Sequence, residues 1–283
     1  MARLRAKFNA ATIKRWIAEG RGQGRGKNYS QWLRVQDVPS LGYVSRILGW
    51  KTTRRHEFLS NLETRYFYLL DWSTLVSDIR EQFPLLPLDE TLAIAEQCGV
   101  KHPTLPGTSE PIVMTTDFLV DIVQSGATTE HARTVKPSKD LLSDRTLEKF
   151  EIERRYWFRR KIDWAIVTER DIPQALVKNI EWIHQYRDIA EKFDVSGAEI
   201  ERVEIILARF LQQEISLNES VHATDQRLGL EPGKSLAIFR HLLACRRWQI
   251  NMGDPIDFRK PIIFLNQPII AREENGPLSK HAA

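Results

Sequence analysis

Two carboxylates and one lysine occur where a fold could bring them together: Glu63, Asp117 and Lys136. Asp117 lies near the polar start of an apolar run over 113–123, and Lys136 ends the short run 133–136. The turn residues between these runs predict two neighbouring strands. A carboxylate on one strand and a lysine on the next can converge on one point, and Glu63 on a preceding helix could add a second carboxylate.

This set of side chains suits metal-assisted chemistry on a phosphate ester. Glu63 and Asp117, with a backbone carbonyl such as that of Val135, form the oxygen ligand set that Mg²⁺ prefers, with Mn²⁺ as an alternative cation. A cation there could hold a scissile phosphate and activate water, while Lys136 orients the water or offsets developing negative charge. The arrangement resembles the D…(D/E)-x-K site of restriction-endonuclease-like nucleases.

Each of the three residues also has a purely structural interpretation. Ser60 and Glu63 have the spacing of a capping box, so Glu63 could simply stabilise the start of a helix. Asp117 could be a turn residue at the entry to its strand. Lys136 precedes Pro137 and could protect a sheet edge against aggregation. The sequence pattern alone leaves both interpretations open.

The charges are distributed unevenly along the chain. The net charge is +4, but residues 1–60 contain thirteen Lys and Arg against three acids, a balance of +10, which leaves −6 for the rest. Gly and Arg alternate over 20–27, a composition that suits either a backbone-exposed segment lying along phosphates or an ordinary basic, solvated loop. We therefore predict that a polyanion such as DNA contacts the N-terminal part. The candidate phosphate contacts are Arg21, Arg25, Lys27, Arg54 and Arg55.

The composition excludes several classes of protein. The 283 residues are 42% hydrophobic, enough for a buried core. No apolar run approaches the roughly 18–20 residues that span a bilayer, and the basic start lacks the apolar stretch of a signal peptide. The two cysteines, Cys98 and Cys245, are too few for a disulfide framework and too far apart for a zinc site. These features predict a soluble, cytoplasmic protein with no membrane partner.

The order of predicted elements indicates an α/β domain over residues 1–168. Apolar periodicity and turn residues separate helices from strands in this part of the chain. The predicted helices cover 9–18, 60–70, 89–98 and 144–161, and the predicted strands cover 78–86, 113–123, 133–136 and 163–168. This order predicts a mixed sheet flanked by helices.

A second, mainly α domain is predicted over residues 169–283. Its helices follow Pro173 and cover 198–213, 220–228 and 235–247, and two short strands follow at 248–252 and 260–265. Three helices and a hairpin in this order indicate a winged helix. The last helix carries Arg240, His241, Arg246 and Arg247, which could face a DNA groove or belong to a domain that contacts protein only. A polar tail begins at Ala271.

Several sequence segments, spread over about residues 10–185, resemble segments of the TnsA family and follow the same order. They include EGRGQG at 19–24, DIREQFPLL at 78–86, TDFLVD at 116–121, VKP at 135–137, RTLEK at 145–149, ERRYW at 153–157 and NIEW at 179–182. TnsA proteins are the endonuclease subunits of heteromeric bacterial cut-and-paste transposases. The length and order of these segments make the resemblance specific.

The resemblance implies a restriction-endonuclease-like domain followed by a winged-helix domain. It also implies a Mg²⁺-dependent cut in the 5′ strand at each transposon end. The implied partners are DNA, a DDE transposase, TnsB, which processes the 3′ strand, and an ATPase, TnsC, which contacts the C-terminal part. By position, the catalytic Glu, Asp and Lys of the family fall on Glu63, Asp117 and Lys136.

The sequence departs from the family pattern at Thr134. Restriction enzymes carry an acid two residues before the lysine, and TnsA relatives often carry glutamine. Threonine offers a metal only a hydroxyl, so ligation by Thr134 is in doubt. Glu153 on the following helix is a possible substitute, although a solvated helix face is the ordinary position of such a residue.

The sequence therefore predicts a DNA endonuclease subunit of a transposase. Two rival hypotheses stay open at this stage. One is a free-standing restriction or repair endonuclease of the same fold, and the other is a non-catalytic winged-helix DNA-binding regulator.

Overall fold

The computed structural model describes residues 9–37 and 44–266. The predicted polar tail from Ala271 lies outside these residues. The chain divides into two compact units, one ending at Pro173 and the other beginning at Gln174. The boundary predicted at 168/169 lies five residues earlier, at the end of a strand instead of the start of the next helix.

The N-terminal unit is a mixed α/β structure, as predicted. Numbered in chain order, its elements are α1 (Ala10–Ala18), β1 (Ser45–Leu48), β2 (Arg55–Phe58), α2 (Asn61–Trp72), β3 (Val76–Pro84), α3 (Leu88–Cys98), β4 (Thr115–Gln124), β5 (Ala127–Val135), α4 (Asp144–Arg159) and β6 (Asp163–Val167). The main sheet has the order β3-β4-β5-β6. Its first two pairs are antiparallel, and β5 and β6 are parallel, which makes the sheet mixed.

The helices α3 and α4 cover the main sheet with an apolar layer. Ile94 of α3 and Ile152 and Trp157 of α4 are fully buried against Leu119 of β4 and Ala132 of β5. Burial of large apolar side chains of this kind is the dominant stabilising contribution to a core. Although α4 is rich in charged residues, one of its faces is apolar and packs on the sheet.

The structure adds a two-stranded hairpin that the sequence analysis missed. The strands β1 and β2 pair antiparallel, with Ser45 opposite Phe58. The strand β2 directly precedes α2, which begins at Asn61, within one residue of the predicted start of that helix. Exposed and buried side chains alternate along β2, with His56 and Phe58 buried. Because the strand is short and contains several polar residues, its sequence shows no hydrophobic alternation from which a strand could be predicted.

The C-terminal unit is mainly helical. Its elements are α5 (Gln174–His184), α6 (Ile189–Phe193), α7 (Gly197–Leu211), α8 (Leu217–Leu228), α9 (Lys234–Ala244), β7 (Gln249–Ile250) and β8 (Phe264–Asn266). The turn before α9 is held by Asp225, whose carboxylate accepts hydrogen bonds from the N–H groups of Gly233 (2.8 Å) and Ser235 (2.9 Å). Across the described residues, no helix is both long and apolar enough to cross a membrane.

The helix α9 lies in the interior of this unit. Ile238, Phe239 and Leu242 are fully buried. The Arg240 guanidinium stacks on the ring of Trp182, 4.2 Å from its centroid, and the Nδ1 of His241 lies 2.9 Å from the carbonyl oxygen of Tyr186. Both side chains are therefore used in packing within the unit, and contact of Arg240 and His241 with a DNA groove stays a prediction.

Candidate active site

A cleft of about 480 Å³ opens in the N-terminal unit beside the ends of β4 and β5. Glu63, Asp117 and Lys136 all line it. These residues come from three separate elements, the start of α2, the strand β4 and the residue after β5. The structure thus brings together the three side chains that the sequence singled out.

Glu63 is held by the N-terminus of α2. The Ser60 hydroxyl accepts a hydrogen bond from the Glu63 N–H (3.2 Å) and donates one to Glu63 Oε1 (2.8 Å). The backbone N–H of Leu59 donates to Glu63 Oε2 (3.1 Å). The carboxylate therefore caps the helix and lines the cleft, so the structural and the functional interpretations of Glu63 are compatible.

Asp117 is held by its neighbouring strand. The backbone N–H of Val135 donates to Asp117 Oδ2 (2.7 Å), which ties the carboxylate to the end of β5. Asp117 lies within β4, so the alternative of a turn residue at the strand entry is wrong. Val135 contributes its N–H group to the site, and its carbonyl as a metal ligand stays a prediction.

Gln82 on β3 joins the two carboxylates. Its side-chain nitrogen donates to Asp117 Oδ1 (3.3 Å) and to Glu63 Oε2 (3.5 Å). Its side-chain oxygen accepts a hydrogen bond from the Thr115 hydroxyl (3.1 Å). The sequence analysis did not select Gln82, because an isolated glutamine in a strand carries no recognisable spacing.

The environment of the two carboxylates disfavours their ionised forms. Burial and the negative charge of Asp117 raise the pKa of Glu63. Burial also raises the pKa of Asp117, and the Val135 N–H, Gln82 and the positive charge of Lys136 offset that rise only in part. Raised pKa values in two carboxyl groups that line the same cleft are typical of functional sites.

Lys136 extends β5 toward the cleft. Its backbone N–H donates to the Val167 carbonyl (2.9 Å), which continues the β5–β6 pairing by one residue. Its ammonium lies 3.8 Å from the Asp140 carboxylate, and 39% of its side chain is exposed. The positive charge of Lys136 also lowers the pKa of Asp117, so this partly exposed lysine acts on one carboxylate of the site.

Glu153 is a third carboxylate in the cleft. Its Oε1 accepts hydrogen bonds from the hydroxyls of Thr116 (2.6 Å) and Thr134, and these hydroxyls in turn accept from the indole N–H groups of Trp157 (2.6 Å) and Trp164 (3.2 Å). The prediction of a solvated helix face is wrong, since Glu153 is only 2% exposed. Burial raises the pKa of Glu153 to about 7.

The contacts of Thr134 give it a role other than metal ligation. Its hydroxyl proton is directed at Glu153, so Thr134 orients this carboxylate. The spacing of Phe150, Glu153 and Trp157 places all three on one helical face, a signal that could have predicted the burial of Glu153.

The donor set of the cleft fits a hard divalent cation. Carboxylate oxygens are the preferred ligands of Mg²⁺, and Glu63 and Asp117 face each other across a single amide group. No cluster of three or more His, Cys, Asp or Glu side chains in the described part of the chain has a metal-binding arrangement. A cation held by this pair would therefore need further oxygens from backbone, water or phosphate, as Mg²⁺ sites commonly use.

Two of the predicted phosphate contacts are buried and have structural roles instead. Arg21 donates to Asp37 (2.6 Å) and to the Trp32 carbonyl (3.1 Å). Arg54 donates to both carboxylate oxygens of Glu81, to Oε1 at 2.7 Å. Guanidinium groups that are consumed by buried partners cannot contact DNA, so the prediction is wrong for Arg21 and Arg54.

The other three predicted contacts lie at the surface. Arg25 is 58% exposed but pairs with Asp121 and Glu130, so it would have to exchange partners to reach a phosphate. Lys27 and Arg55 are exposed, and neither forms an ion pair with another described residue. Phosphate contact by Lys27 and Arg55 therefore stays a prediction that the geometry permits.

Comparison with known proteins bears directly on this cleft. A family model described as "TnsA-like endonuclease N terminal" matches residues 73–169, which contain Asp117, Lys136 and Glu153. A second, "TnsA endonuclease C terminal", matches residues 171–252. The Transposon Tn7 transposition protein TnsA of Escherichia coli is 44% identical over 246 residues, covering 86% of this chain and 87% of that protein. Together these matches confirm the resemblance seen in the sequence, and the chain belongs to the TnsA endonuclease family.

Proposed function

We propose that this chain is the Mg²⁺-dependent subunit of a cut-and-paste transposase that hydrolyses the 5′ strand at each transposon end. The observation that carries the proposal is the pairing of Glu63 with Asp117 in a cleft that Lys136 also lines. Membership of an endonuclease family gives that cleft a substrate, the phosphodiester bond of DNA. The proposed fold of the N-terminal unit is restriction-endonuclease-like.

The two carboxylates would hold the cation. Mg²⁺ held by Glu63 and Asp117 would stabilise negative charge on phosphoryl oxygens and lower the pKa of water. Mn²⁺ would be a substitute. Both carboxylates have raised pKa values, so they would lose protons more readily once a positive charge lies between them. Hydrogen bonds from Leu59, Ser60 and Val135 fix the orientation of these groups.

Two lysines provide the positive charge that the protein itself brings to the cleft. Lys136 would orient the attacking water or offset the negative charge that develops on the phosphate. Lys149 also lines the cleft, where burial and the charges of Arg145 and Lys136 lower its pKa. In the hydrolysis a water oxygen bonds to phosphorus, one P–O ester bond breaks, and the proton lost by the water is balanced by a proton gained at the leaving oxygen.

The proposal includes two protein partners. A DDE transposase, TnsB, would process the 3′ strand, and an ATPase, TnsC, would link the pair to target selection. We propose that α7, α8 and α9, followed by the β7–β8 pair, form a winged helix. Because Arg240 and His241 pack within the C-terminal unit, this unit is better suited to contact protein than to read DNA bases.

The test is strand cleavage by the full chain with its transposase, its ATPase, Mg²⁺ and a DNA bearing a transposon end. In an Asp117→Asn variant we expect the 5′ cut to slow by about 100-fold or more while the 3′ cut persists. An Asp89→Asn variant, changed at an exposed position of α3, is the matched control and should cut normally.

Three outcomes would contradict the proposal. Undiminished 5′ cutting by Asp117→Asn would remove Asp117 from the site. Rapid cutting of plain DNA by the purified chain alone would favour a free-standing restriction or repair endonuclease. Failure of the chain to bind any divalent cation would favour a DNA-binding regulator.

A further inference from the structure

Gln82 forms hydrogen bonds with both carboxylates of the cleft, although it is not one of the predicted catalytic residues. On β3, Glu81 pairs with Phe118 and Phe83 with Thr116, so the register puts Gln82 directly opposite Asp117. The residue is 3% exposed. A buried amide group must find hydrogen-bond partners, because an unsatisfied polar group in the interior is costly.

The backbone of Gln82 has an unusual conformation for a strand. Its φ angle is +49°, in the left-handed region that residues other than glycine rarely adopt. Its carbonyl oxygen accepts a hydrogen bond from the backbone N–H of Trp32 (3.3 Å), in the segment that follows α1. Strained backbone that the surroundings maintain is found preferentially at functional sites, which gives a reason to ask what the side chain does.

The chemistry of its three contacts fixes the orientation of the Gln82 amide. Carboxylate oxygens accept hydrogen bonds, so the nitrogen must face Asp117 and Glu63. The oxygen then faces the Thr115 hydroxyl, which donates to it. One amide nitrogen therefore spans two carboxylates that come from different elements, and a third residue prevents the amide from turning over.

We propose that Gln82 is a positioning residue, which sets the separation and orientation of Glu63 and Asp117 so that both carboxylates can hold one cation. This inference rests on the proposed function, because it assigns Gln82 a role toward the cation proposed there. Groups that orient metal ligands in this way typically change metal affinity by 10- to 100-fold when they are removed.

The test measures Mn²⁺ binding by the full chain, from the loss of the free-ion electron paramagnetic resonance signal. In a Gln82→Met variant, which keeps the length of the side chain and the backbone demand but removes the amide, we expect Mn²⁺ affinity to fall about 10- to 100-fold. A Gln124→Met variant, changed at the exposed end of β4, is the control and should bind Mn²⁺ as the unaltered chain does.

Thermal unfolding without metal separates positioning from a role in stability alone. If Gln82 only stabilises the fold, Gln82→Met lowers Tm but the folded variant keeps its Mn²⁺ affinity within about twofold, and the proposal is overturned. Tighter Mn²⁺ binding also overturns it, since the amide would then compete with the cation. If Gln82→Met does not fold, Thr115→Val, which removes only the hydroxyl that orients the amide, decides in its place: weaker Mn²⁺ binding supports the proposal and unchanged binding overturns it.

The design also separates failure of this inference from failure of the proposed function. If the unaltered chain binds no Mn²⁺, or if Asp117→Asn binds it normally, the proposed metal site is at fault. If the unaltered chain binds Mn²⁺, Asp117→Asn does not, and Gln82→Met is unaffected, only the role of Gln82 is excluded.

Discussion

Several residues of the cleft carry a structural and a chemical task at the same time. Glu63 caps α2 through Leu59 and Ser60, yet it still faces the amide of Gln82. Asp117 anchors the end of β5 through the Val135 N–H while its second oxygen remains directed at the same amide. These anchors hold the carboxylates in place before a cation arrives, and such preorganisation reduces the reorganisation that catalysis requires.

Lys136 differs from the carboxylates, because its side chain is partly exposed and its only ion pair, among the described residues, is the 3.8 Å contact with Asp140. We expect Lys136→Ala to fold normally, since removing a surface ion pair costs at most about 1 kcal/mol. We expect its 5′-strand cleavage rate to fall about 100- to 1,000-fold, the usual loss when one electrostatic stabiliser is removed. The measurement is the cleavage rate with the partner proteins present.

Lys139→Ala is the matched control for this prediction. Lys139 lies three residues further along the same segment and is exposed, so its removal tests the loss of a nearby positive charge without the loss of the cleft residue. Equal cleavage rates for Lys136→Ala and Lys139→Ala would mean that Lys136 takes no part in the reaction.

At the scale of elements, a buried ion pair attaches the β1–β2 hairpin to the main sheet. Arg54, just before β2, donates to both oxygens of Glu81 on β3, and the Nδ1 of His56 lies 2.8 Å from the same carboxylate. Burial alone raises the pKa of a carboxyl group, but His56 and Arg54 more than reverse that effect and lower the pKa of Glu81 to about 2. The hairpin thus depends on the ionised form of Glu81.

This dependence predicts how stability changes with pH. The folded pKa of Glu81 lies below its ordinary value of 4.5, so its contribution is fully present above about pH 4.5 and is lost as the pH falls toward 2. We expect Glu81→Gln to lower the free energy of unfolding by about 3–5 kcal/mol near neutral pH, because it leaves a buried Arg54 without its counter-charge. The measurement is urea unfolding of the variant and the unaltered chain across this pH range.

The difference between the two proteins should shrink below about pH 4.5, as the unaltered chain becomes protonated itself. Glu110→Gln, at an exposed loop position, is the control and should unfold like the unaltered chain. A difference that stays constant down to about pH 2 would contradict the assignment of the low pKa to Glu81.

The start of α2 connects helix capping to the chemistry of the cleft. Ser60→Ala removes a helix cap, which usually costs about 0.5–2 kcal/mol, and also removes the hydroxyl that orients Glu63. We expect both lower stability and slower 5′ cleavage. Ser196→Ala removes an equivalent cap from α7, and we expect it to lower stability alone. Urea unfolding and cleavage assays on both variants make the comparison, and equal cleavage rates would contradict a role for the Ser60 hydroxyl in the site.

The elements that the sequence predicted well are those with a continuous apolar period. The helix predicted over 198–213 corresponds to α7, Gly197–Leu211, because Ile200, Val203 and Leu207 bury one face. The strand predicted over 133–136 is in fact the end of β5, which begins at Ala127. Its first residues are exposed at the hairpin end, so no buried alternation marked them.

Some residues of the candidate site could be predicted from the sequence, and others could not. Residue type, spacing and family resemblance were sufficient to select Glu63, Asp117 and Lys136. The roles of Gln82 and Glu153 were not predictable in this way, because they depend on contacts between β3, β4 and α4 that only the folded sheet creates. Hydrogen bonds between residues that are distant in sequence produce no periodic pattern in the amino-acid sequence.

At the scale of the whole molecule, much of the N-terminal positive charge is neutralised within the protein. Within the described part of the basic segment, five arginines pair with carboxylates: Arg15, Arg21, Arg25, Arg46 and Arg54. Of their partners, Asp121, Glu130 and Glu81 lie on the main sheet, in the part of the chain with a negative balance. The imbalance of +10 and −6 in sequence therefore overstates the charge available to DNA.

The remaining exposed cations predict a limited electrostatic contribution to DNA binding. Each phosphate contact adds close to one to the slope of log affinity against log salt concentration. We therefore expect Lys27→Ala and Arg55→Ala each to lower that slope by about one for the complex of chain, transposase and end DNA, measured between about 50 and 200 mM salt. Lys178→Ala, changed at an exposed position of α5, should leave the slope unaltered. Unchanged slopes for both Lys27→Ala and Arg55→Ala would mean that DNA does not follow the N-terminal segment, and that the charge asymmetry of the chain serves its internal ion pairs instead.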